Sequence, residues 1–421
     1  MNDIIMTTGE ADNKQRQKAG ESYSGNKTDI AGQEQKKTML SHAPDAHNAT
    51  NKDDPEKMKP RMPEGDIAHP LAAWFENVKR DLPWRRTKDA YRIWVSEIML
   101  QQTTISAVIG YYERFLTALP TLKDLAACPD DRLLKLWEGL GYYSRVRNMK
   151  KAAIQLVEQG LDNLPADHKA LLDMPGVGAY TAGAIGSLAF GLRYPAVDGN
   201  VLRVMTRLTA SYADNLKPAV KSYYEKEMKS LLDGCPDVDS GVFNEAIMEL
   251  GETVCLPHGE VLCEECPLKH LCLTKAQGLQ SELPVRVIKT KRRIEKKTIF
   301  LWEHEGRFAV RKRPETGLLS GLYEFPNTEG HLTEEAAVDF VEKMGGSVIA
   351  AERLKAGKHL FSHIEWQMIG YRVHVSKRPT GEDLCWATRE EIFGKYAVPG
   401  AFDTYRKLIP DDKQRIGSGT D

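Results

Sequence analysis

Four cysteines, Cys255, Cys263, Cys266 and Cys272, fall within 18 positions in the order C-x7-C-x2-C-x5-C, directly after a helical run. No other feature restricts the fold as tightly, because one short loop must wrap around whatever its thiolates bind. Four thiolates so close in sequence can enclose a cubane iron–sulfur cluster, with a potential set by burial and hydrogen bonds. Zinc is the competing occupant. Its four-cysteine sites usually pair two separated C-x-x-C knuckles, and only Cys263 and Cys266 form such a pair here. The spacing therefore favours a 4Fe–4S cluster over zinc. Cys128, Cys235 and Cys385 stand apart, and an odd, uneven set of seven does not describe a disulfide-stapled secreted domain.

From Pro70 to about Ala276 apolar residues recur at three- and four-residue spacing, as in HPLAAWFENVKRDL, YRIWVSEIMLQQTTISAVIGYYERFLTAL and NEAIMELGETVC. Loops marked by Leu164-Pro165, Met174-Pro175 and Tyr194-Pro195 separate the runs, which predicts an all-α region of roughly ten helices with no β-rich segment. Met174 to Leu192 carries no charge over 19 residues, yet five glycines and a proline interrupt it. That suits a buried helix after a turn better than a membrane span. No cationic stretch leading into an apolar one opens the chain, so a cytoplasmic, nucleoid-associated protein in a reducing compartment is expected. The net charge of −1 argues against a uniformly basic nucleic-acid binder but leaves room for a local basic groove.

Residues 1–65 are polar and poor in aromatics, and are expected to form a disordered extension. A helical domain over 66–276 follows, divided into a lobe at about 84–194 and a cysteine lobe made of 66–83 and 195–276. Residues 277–297 read as a basic linker, with seven Lys or Arg among the 14 positions from Pro284. Beyond it KTIFLWEHEGRFAVRKRP holds a hairpin-like Glu-Gly centre, and HIEWQMIGYRVHV alternates over a long run. A helix at about Glu334–Met344 lies between them, so 298–410 is expected to be a separate α+β domain, with 411–421 as a tail.

The stretch DMPGVGAYTAG, Asp173 to Gly183, places a Pro-Gly-x-Gly turn at the mouth of an apolar helix. Such a turn leaves backbone N–H groups pointing outward at an anion, although a plain helix–turn–helix corner has the same pattern. The helical region with MPGVG, then VDGN, then the cysteine loop resembles the helix-hairpin-helix DNA glycosylases of the endonuclease III superfamily over residues 68–276. This chain has seven residues in the first cysteine gap where that family usually has six; the extra residue removes no ligand.

Cutting an N-glycosidic bond requires a proton for the departing base and negative charge beside the oxocarbenium-like sugar. Two carboxylates in different environments can supply both. Glu97 lies in VSEIMLQQT, on the polar side of an otherwise apolar helix, and Asp198 lies in AVDGN. On spacing alone they could equally be a surface charge and a helix cap. SEIMLQQT, however, is similar to the signature of adenine DNA glycosylases of the MutY type, as are LPWR (Leu82–Arg85), LQQT (Leu100–Thr103) and GLGYYSR (Gly139–Arg145).

The resemblance implies that Glu97 protonates the adenine ring at N7 while Asp198 stabilises the cation and helps position water. Arg85 and Asn200 would line the pocket. Gln102 would wedge into the duplex, with Leu100 and Thr103 beside it, and Tyr142 would support the opposing base. Leu100 and Tyr142 as core residues are the plainer alternative. Gly176 and Gly178 would hold a DNA phosphate through backbone amides, and the hairpin could also seat a monovalent cation. RKRPETGLLSGLYEFP resembles the opening of the family's nudix-like domain, but TEEAAVDFVEKMG lacks the Arg-Glu pair of a Mg²⁺-binding nudix box, so no pyrophosphate hydrolysis is expected. HLFSHIEW is similar to the HxFSH loop that recognises 8-oxoguanine, with Ser362 bonding the lesion and Phe361 and His363 framing it; a strand end with a capping serine would look alike.

Lyase relatives carry a Schiff-base lysine two places after the second hairpin glycine, and this chain has Tyr180 there. A phenol can hydrogen-bond but cannot form an imine, which points to water as the nucleophile. The expected protein is thus a monofunctional, monomeric glycosylase. Its substrate would be double-stranded DNA with adenine opposite 8-oxoguanine or guanine, and no membrane would be involved. A thymine–guanine mismatch glycosylase, an oxidised-pyrimidine glycosylase/lyase and a non-catalytic DNA-binding iron–sulfur protein are the alternatives.

Overall fold

The computed structural model describes residues 58–287, 292–381 and 383–411. Residues 1–57 of the extension expected over 1–65, the middle of the basic linker and the tail beyond Asp411 lie outside them. The chain begins with helices α1 (Ala68–Val78), α2 (Ala90–Leu100), α3 (Ile105–Ala118), α4 (Leu122–Ala127), α5 (Asp130–Leu136) and α6 (Ser144–Glu158). It continues with α7 (His168–Leu172), α8 (Ala179–Phe190), α9 (Gly199–Leu208), α10 (Pro218–Gly234), α11 (Ser240–Thr253) and α12 (Leu273–Gln277). No strand occurs among the described residues before Arg293.

Side-chain caps set many of these starts. Asp89, Thr121, Asp167, Asp198 and Asp239 accept backbone N–H groups at the first turns of α2, α4, α7, α9 and α11. Each such cap is worth about 1 kcal/mol. The apolar run from Tyr91 to Leu119, helical in spacing throughout, is cut into α2 and α3 by Gln102, which adopts a φ of 61°. Two apolar cores form. One gathers Trp94, Phe115 and Trp137 around α8, which is buried from Thr181 to Leu188. The other packs Leu71 and Phe75 of α1 against Val201, Tyr224 and Phe243 of α9, α10 and α11. The 12 residues of α8 span about 18 Å, short of a hydrocarbon core about 30 Å thick. No helix among the described residues is long and apolar enough to cross a membrane.

The second part is a mixed sheet of β1 (Arg293–His304), β2 (Arg307–Lys312), β3 (Tyr323–Glu324), β4 (Asn327–Glu329), β5 (Ser347–Leu360), β6 (Ile364–Lys377) and β7 (Leu384–Ala387). The order is β3-β2-β1-β6-β5, with β4 on β1 and β7 on β2, and β1 runs parallel to β6. The Glu305-Gly306 turn joins β1 to β2 with φ values of 47° and 77°, the left-handed pair that a tight hairpin requires. The sheet starts at Arg293, five residues before the 298 boundary read from the sequence, because pairing with β6 draws the end of the basic stretch into β1. Helix α13 (Glu334–Lys343) covers one face through Ala337 and Val341. The other face is covered by α14 (Arg389–Gly394) and α15 (Asp403–Arg406), with Ile392, Phe402 and Tyr405 buried. Leu322 and Ala397 of this second domain belong to the apolar core of the first, so the two pack directly on each other.

Candidate active site and nucleic-acid interface

Between the two helical cores lies a cavity of about 1170 Å³, lined by side chains from α2, the α2–α3 turn, the hairpin before α8, the start of α9, and α11. Glu97, Asp198, Tyr180, Asn200, Arg85, Leu100, Gln102, Thr103, Gly176 and Gly178 all face it. Residues from distant parts of the sequence thus converge on one chamber.

Glu97 does not sit on a polar helix side, as its flanking sequence suggested. Apart from Arg92, every residue of α2 from Ala90 to Met99 is buried, and Glu97 is 4% exposed at the chamber wall. Burial, reinforced by the negative charges of Glu245 and Asp198, raises its pKa to about 7, while a hydrogen bond from Tyr180 opposes the rise. That bond runs from the phenol to Oε2 of Glu97 at 2.8 Å. Burial and the charge of Glu97 in turn push the phenol well above its usual range, so Tyr180 keeps its proton and acts as donor.

Asp198 caps α9, its Oδ1 accepting the Val201 amide at 2.8 Å. Burial raises its pKa, and the Val201 and Asn200 amides hold the rise in check. Asn200 donates from Nδ2 to Glu252 at 2.7 Å and accepts at Oδ1 from Arg203 at 3.0 Å. Arg85 spans to α11, bonding Glu245 and Glu249 at 2.8 Å each. Burial pushes Glu245 up, while Arg80 and Arg85 hold the buried Glu249 below the usual carboxylate range. The sequence reading missed this acidic wall. The signal was present in NEAIMELGETVC, where Glu245, Glu249 and Glu252 recur on one helical face.

Two non-glycine residues with left-handed backbones stand at the chamber mouth and beside it: Gln102 at φ 61° and Tyr142 at φ 45°. Such conformations cost about 1–3 kcal/mol each and persist only where the surroundings impose them. Arg145, also missed from sequence, imposes both. Its guanidinium donates to the carbonyls of Ile98 and Gln101 below Gln102, at 2.5 and 2.7 Å, and to those of Leu140 and Gly141 below Tyr142, at 2.9 and 3.1 Å. The Tyr142 side chain is 51% exposed, which removes the core-residue alternative; Leu100 is half-buried and packs against the core while facing the chamber. The Tyr142 hydroxyl lies 3.3 Å from Oγ of Ser362, which sits in the turn between β5 and β6. Beside it Phe361 meets Trp366 edge-on at 4.9 Å, and His363 is exposed.

At the hairpin, Gly176 has a φ of 79°, and a Cβ there would come within 2.7 Å of Asn148. Gly178 starts α8 without any side-chain cap, leaving the first-turn amides of the helix open for an anion.

The four cysteines line one cavity of about 30 Å³ together with Arg207, Lys269, Lys275 and Gln280. Arg207 donates to Sγ of Cys255 at 3.3 Å, and Gln280 approaches Sγ of Cys263 at 3.8 Å. Four sulfur donors ringed by three cations fit an anionic thiolate-bound group.

A helical domain with a hairpin, a two-acid chamber and a cysteine-lined loop, followed by a mixed-sheet domain, defines a class of DNA-repair protein. Residues 95–230 match the HhH-GPD superfamily of base excision DNA repair proteins, and residues 298–408 match the NUDIX domain. The chain is 33% identical over 388 residues to the adenine DNA glycosylase of Homo sapiens, covering 76% of this chain and 70% of that one. It is 33% identical over 411 residues to the Mus musculus adenine DNA glycosylase, covering 83% and 79%. The Schizosaccharomyces pombe adenine DNA glycosylase is 28% identical over 420 residues, covering 83% and 90%. The chain belongs to the adenine DNA glycosylase family.

Proposed function

We propose that this chain removes adenine paired with 8-oxoguanine or guanine from double-stranded DNA by hydrolysis, as a monofunctional and monomeric glycosylase. The observation that carries the reading is the pairing of Glu97 with Asp198 in one chamber, the first held protonated near neutral pH by burial and the second fixed by backbone amides. The open amides of α8 dock on a phosphate and fix the register without reading sequence. Adenine turns out of the stack into the chamber, Gln102 fills the gap, and Tyr142 supports the opposite base. Glu97 gives its proton to the base at N7, and the C1′–N9 electron pair leaves with the adenine. Asp198 stabilises the positive charge left on the sugar, and water adds at C1′, its surplus proton passing to the carboxylate left on Glu97. Tyr180 stands where a lyase needs an amine and its phenol donates to Glu97, so the chain offers no amine there to form an enzyme–sugar imine.

Ser362, Phe361 and His363 read the 8-oxoguanine opposite, with Tyr142 closing the site from the helical side. Cys255, Cys263, Cys266 and Cys272 would hold a 4Fe–4S cluster, which when bound would tie the loop after α11 to α12. Broad visible absorbance and iron in the purified protein would support that assignment; a colourless protein containing zinc would refute it.

The test of the activity uses duplexes carrying adenine opposite 8-oxoguanine, thymine opposite guanine, and thymine glycol opposite adenine. Strand breaks confined to the first duplex, and appearing only after alkali, are expected. Breaks without alkali, or an adduct trapped by borohydride on the productive path, would overturn the reading.

A further inference from the structure

We propose that Glu138 is a positioning residue for recognition of the base opposite the adenine. It locks the turn that carries Tyr142 onto the domain that carries Ser362. The inference rests on the reading above that these two side chains face that base.

Glu138 lies four residues before Tyr142, in the segment between α5 and α6, and its side chain is 15% exposed. One carboxylate oxygen accepts the Val398 amide at 3.1 Å and the guanidinium of Arg406, both from the second domain. The other oxygen accepts from Lys135 at 2.5 Å, and Lys135 also donates to the carbonyl of Tyr396 at 3.0 Å. A single half-buried carboxylate thus organises donors from both domains. Charge-assisted bonds of this kind are among the stiffest a protein makes.

The second half of the chain of contacts runs from Arg406 to the lesion-facing turn. Arg406 ends α15, and its neighbour Tyr405 is buried beneath the β5–β6 pair. A Cβ at Gly370 of β6 would come within 2.3 Å of the Tyr405 ring, so the helix and the strands are in close contact. The same two strands end in the turn holding Phe361, Ser362 and His363. On the helical side the segment after Glu138 leads to the left-handed Tyr142. Glu138 therefore sits at the base of a two-jawed clamp whose tips are Tyr142 and Ser362, 3.3 Å apart at their hydroxyls. Asp131 reinforces the same interface through Lys312 at 3.0 Å, but on an exposed rim where such a pair contributes little. A pair of jaws that must admit a base between them discriminates only if their separation is set from behind, and Glu138 sets it.

The experiment measures kcat and KM on the cluster-loaded full chain for adenine opposite 8-oxoguanine and adenine opposite guanine. The proteins are the parent, Glu138→Gln, Arg406→Met, Ser362→Ala and the double variant Glu138→Gln/Ser362→Ala, each checked by thermal melting. Glu138→Gln and Arg406→Met are each expected to lower the preference for the 8-oxoguanine duplex about tenfold, through KM, with guanine-opposed turnover within about twofold of the parent. The double variant is expected to show no smaller preference than Ser362→Ala alone, because both changes disable one device. A preference lost in Ser362→Ala but kept in Glu138→Gln and Arg406→Met overturns the clamp alone. So does an equal loss on both duplexes, or losses that add. A full preference in Ser362→Ala instead overturns the lesion-site reading, and the clamp with it.

Discussion

The phenol of Tyr180 donates to Oε2 of Glu97 across 2.8 Å, at the wall of a chamber where burial lifts that acid to about 7. The bond favours the ionised carboxylate, so it works against burial. As the proton donor, Glu97 must be protonated, and excision should be fastest below about pH 7 and decline as pH rises through that value. Tyr180→Phe removes the opposing bond and should carry the declining limb upward by about one pH unit. Single-turnover rates across pH would check this; a limb that stays in place or moves down would contradict it.

Replacing Glu97 with Gln should abolish excision and stabilise the fold. In the folded chain the carboxyl is raised from 4.5 to about 7, so the folded state holds this proton more tightly than the unfolded one. Its contribution is therefore favourable at low pH and is lost as pH rises through 7. The penalty at higher pH, up to about 3 kcal/mol, would vanish with a neutral amide that still accepts from Tyr180. Melting curves at pH 4 and pH 8 should show the gain at the higher pH and little at the lower, because the penalty builds up between 4.5 and about 7.

Asp198→Asn should cut excision by about 10³-fold while leaving the fold and duplex binding intact. An asparagine oxygen can still cap α9 at the Val201 amide, so the helix start survives. Only the negative charge beside the sugar is lost. Gel-shift affinity unchanged alongside a collapsed single-turnover rate is the expected pair of results.

Gln102→Gly should stabilise the free protein by about 1 kcal/mol, because φ 61° suits glycine and strains glutamine. The same change removes the wedge, so excision from duplex should fall. A higher melting temperature accompanied by weaker flipping, read from a fluorescent base analogue, would establish that this strain is kept for function.

Much of this protein is determined along the chain itself. Period-3.6 apolar runs, Asp and Thr caps, the Pro-Gly-x-Gly hairpin and the C-x7-C-x2-C-x5-C loop are local patterns, and their physical consequences are local too. The identity of Tyr180, a phenol where an amine would be needed, was equally legible, because covalent capacity belongs to the side chain and not to its surroundings. The break at Gln102 was hidden, since nothing in glutamine announces a left-handed backbone; the carbonyl-binding guanidinium of Arg145, 43 residues further on, imposes it.

What only tertiary structure decided is which groups share a low-dielectric space. The same glutamate in the same helix is a surface charge or a proton donor depending on whether neighbouring helices close over it. Glu97 became an acid near pH 7 because α8 and α11 bury it beside Tyr180 and Glu245. Likewise, Tyr142 and Ser362 are 220 residues apart in sequence and in contact in space. Their meeting depends on an interface whose central carboxylate, Glu138, has no signature of its own. Desolvation and long-range contact are properties of the assembled chain, and a linear pattern cannot carry them.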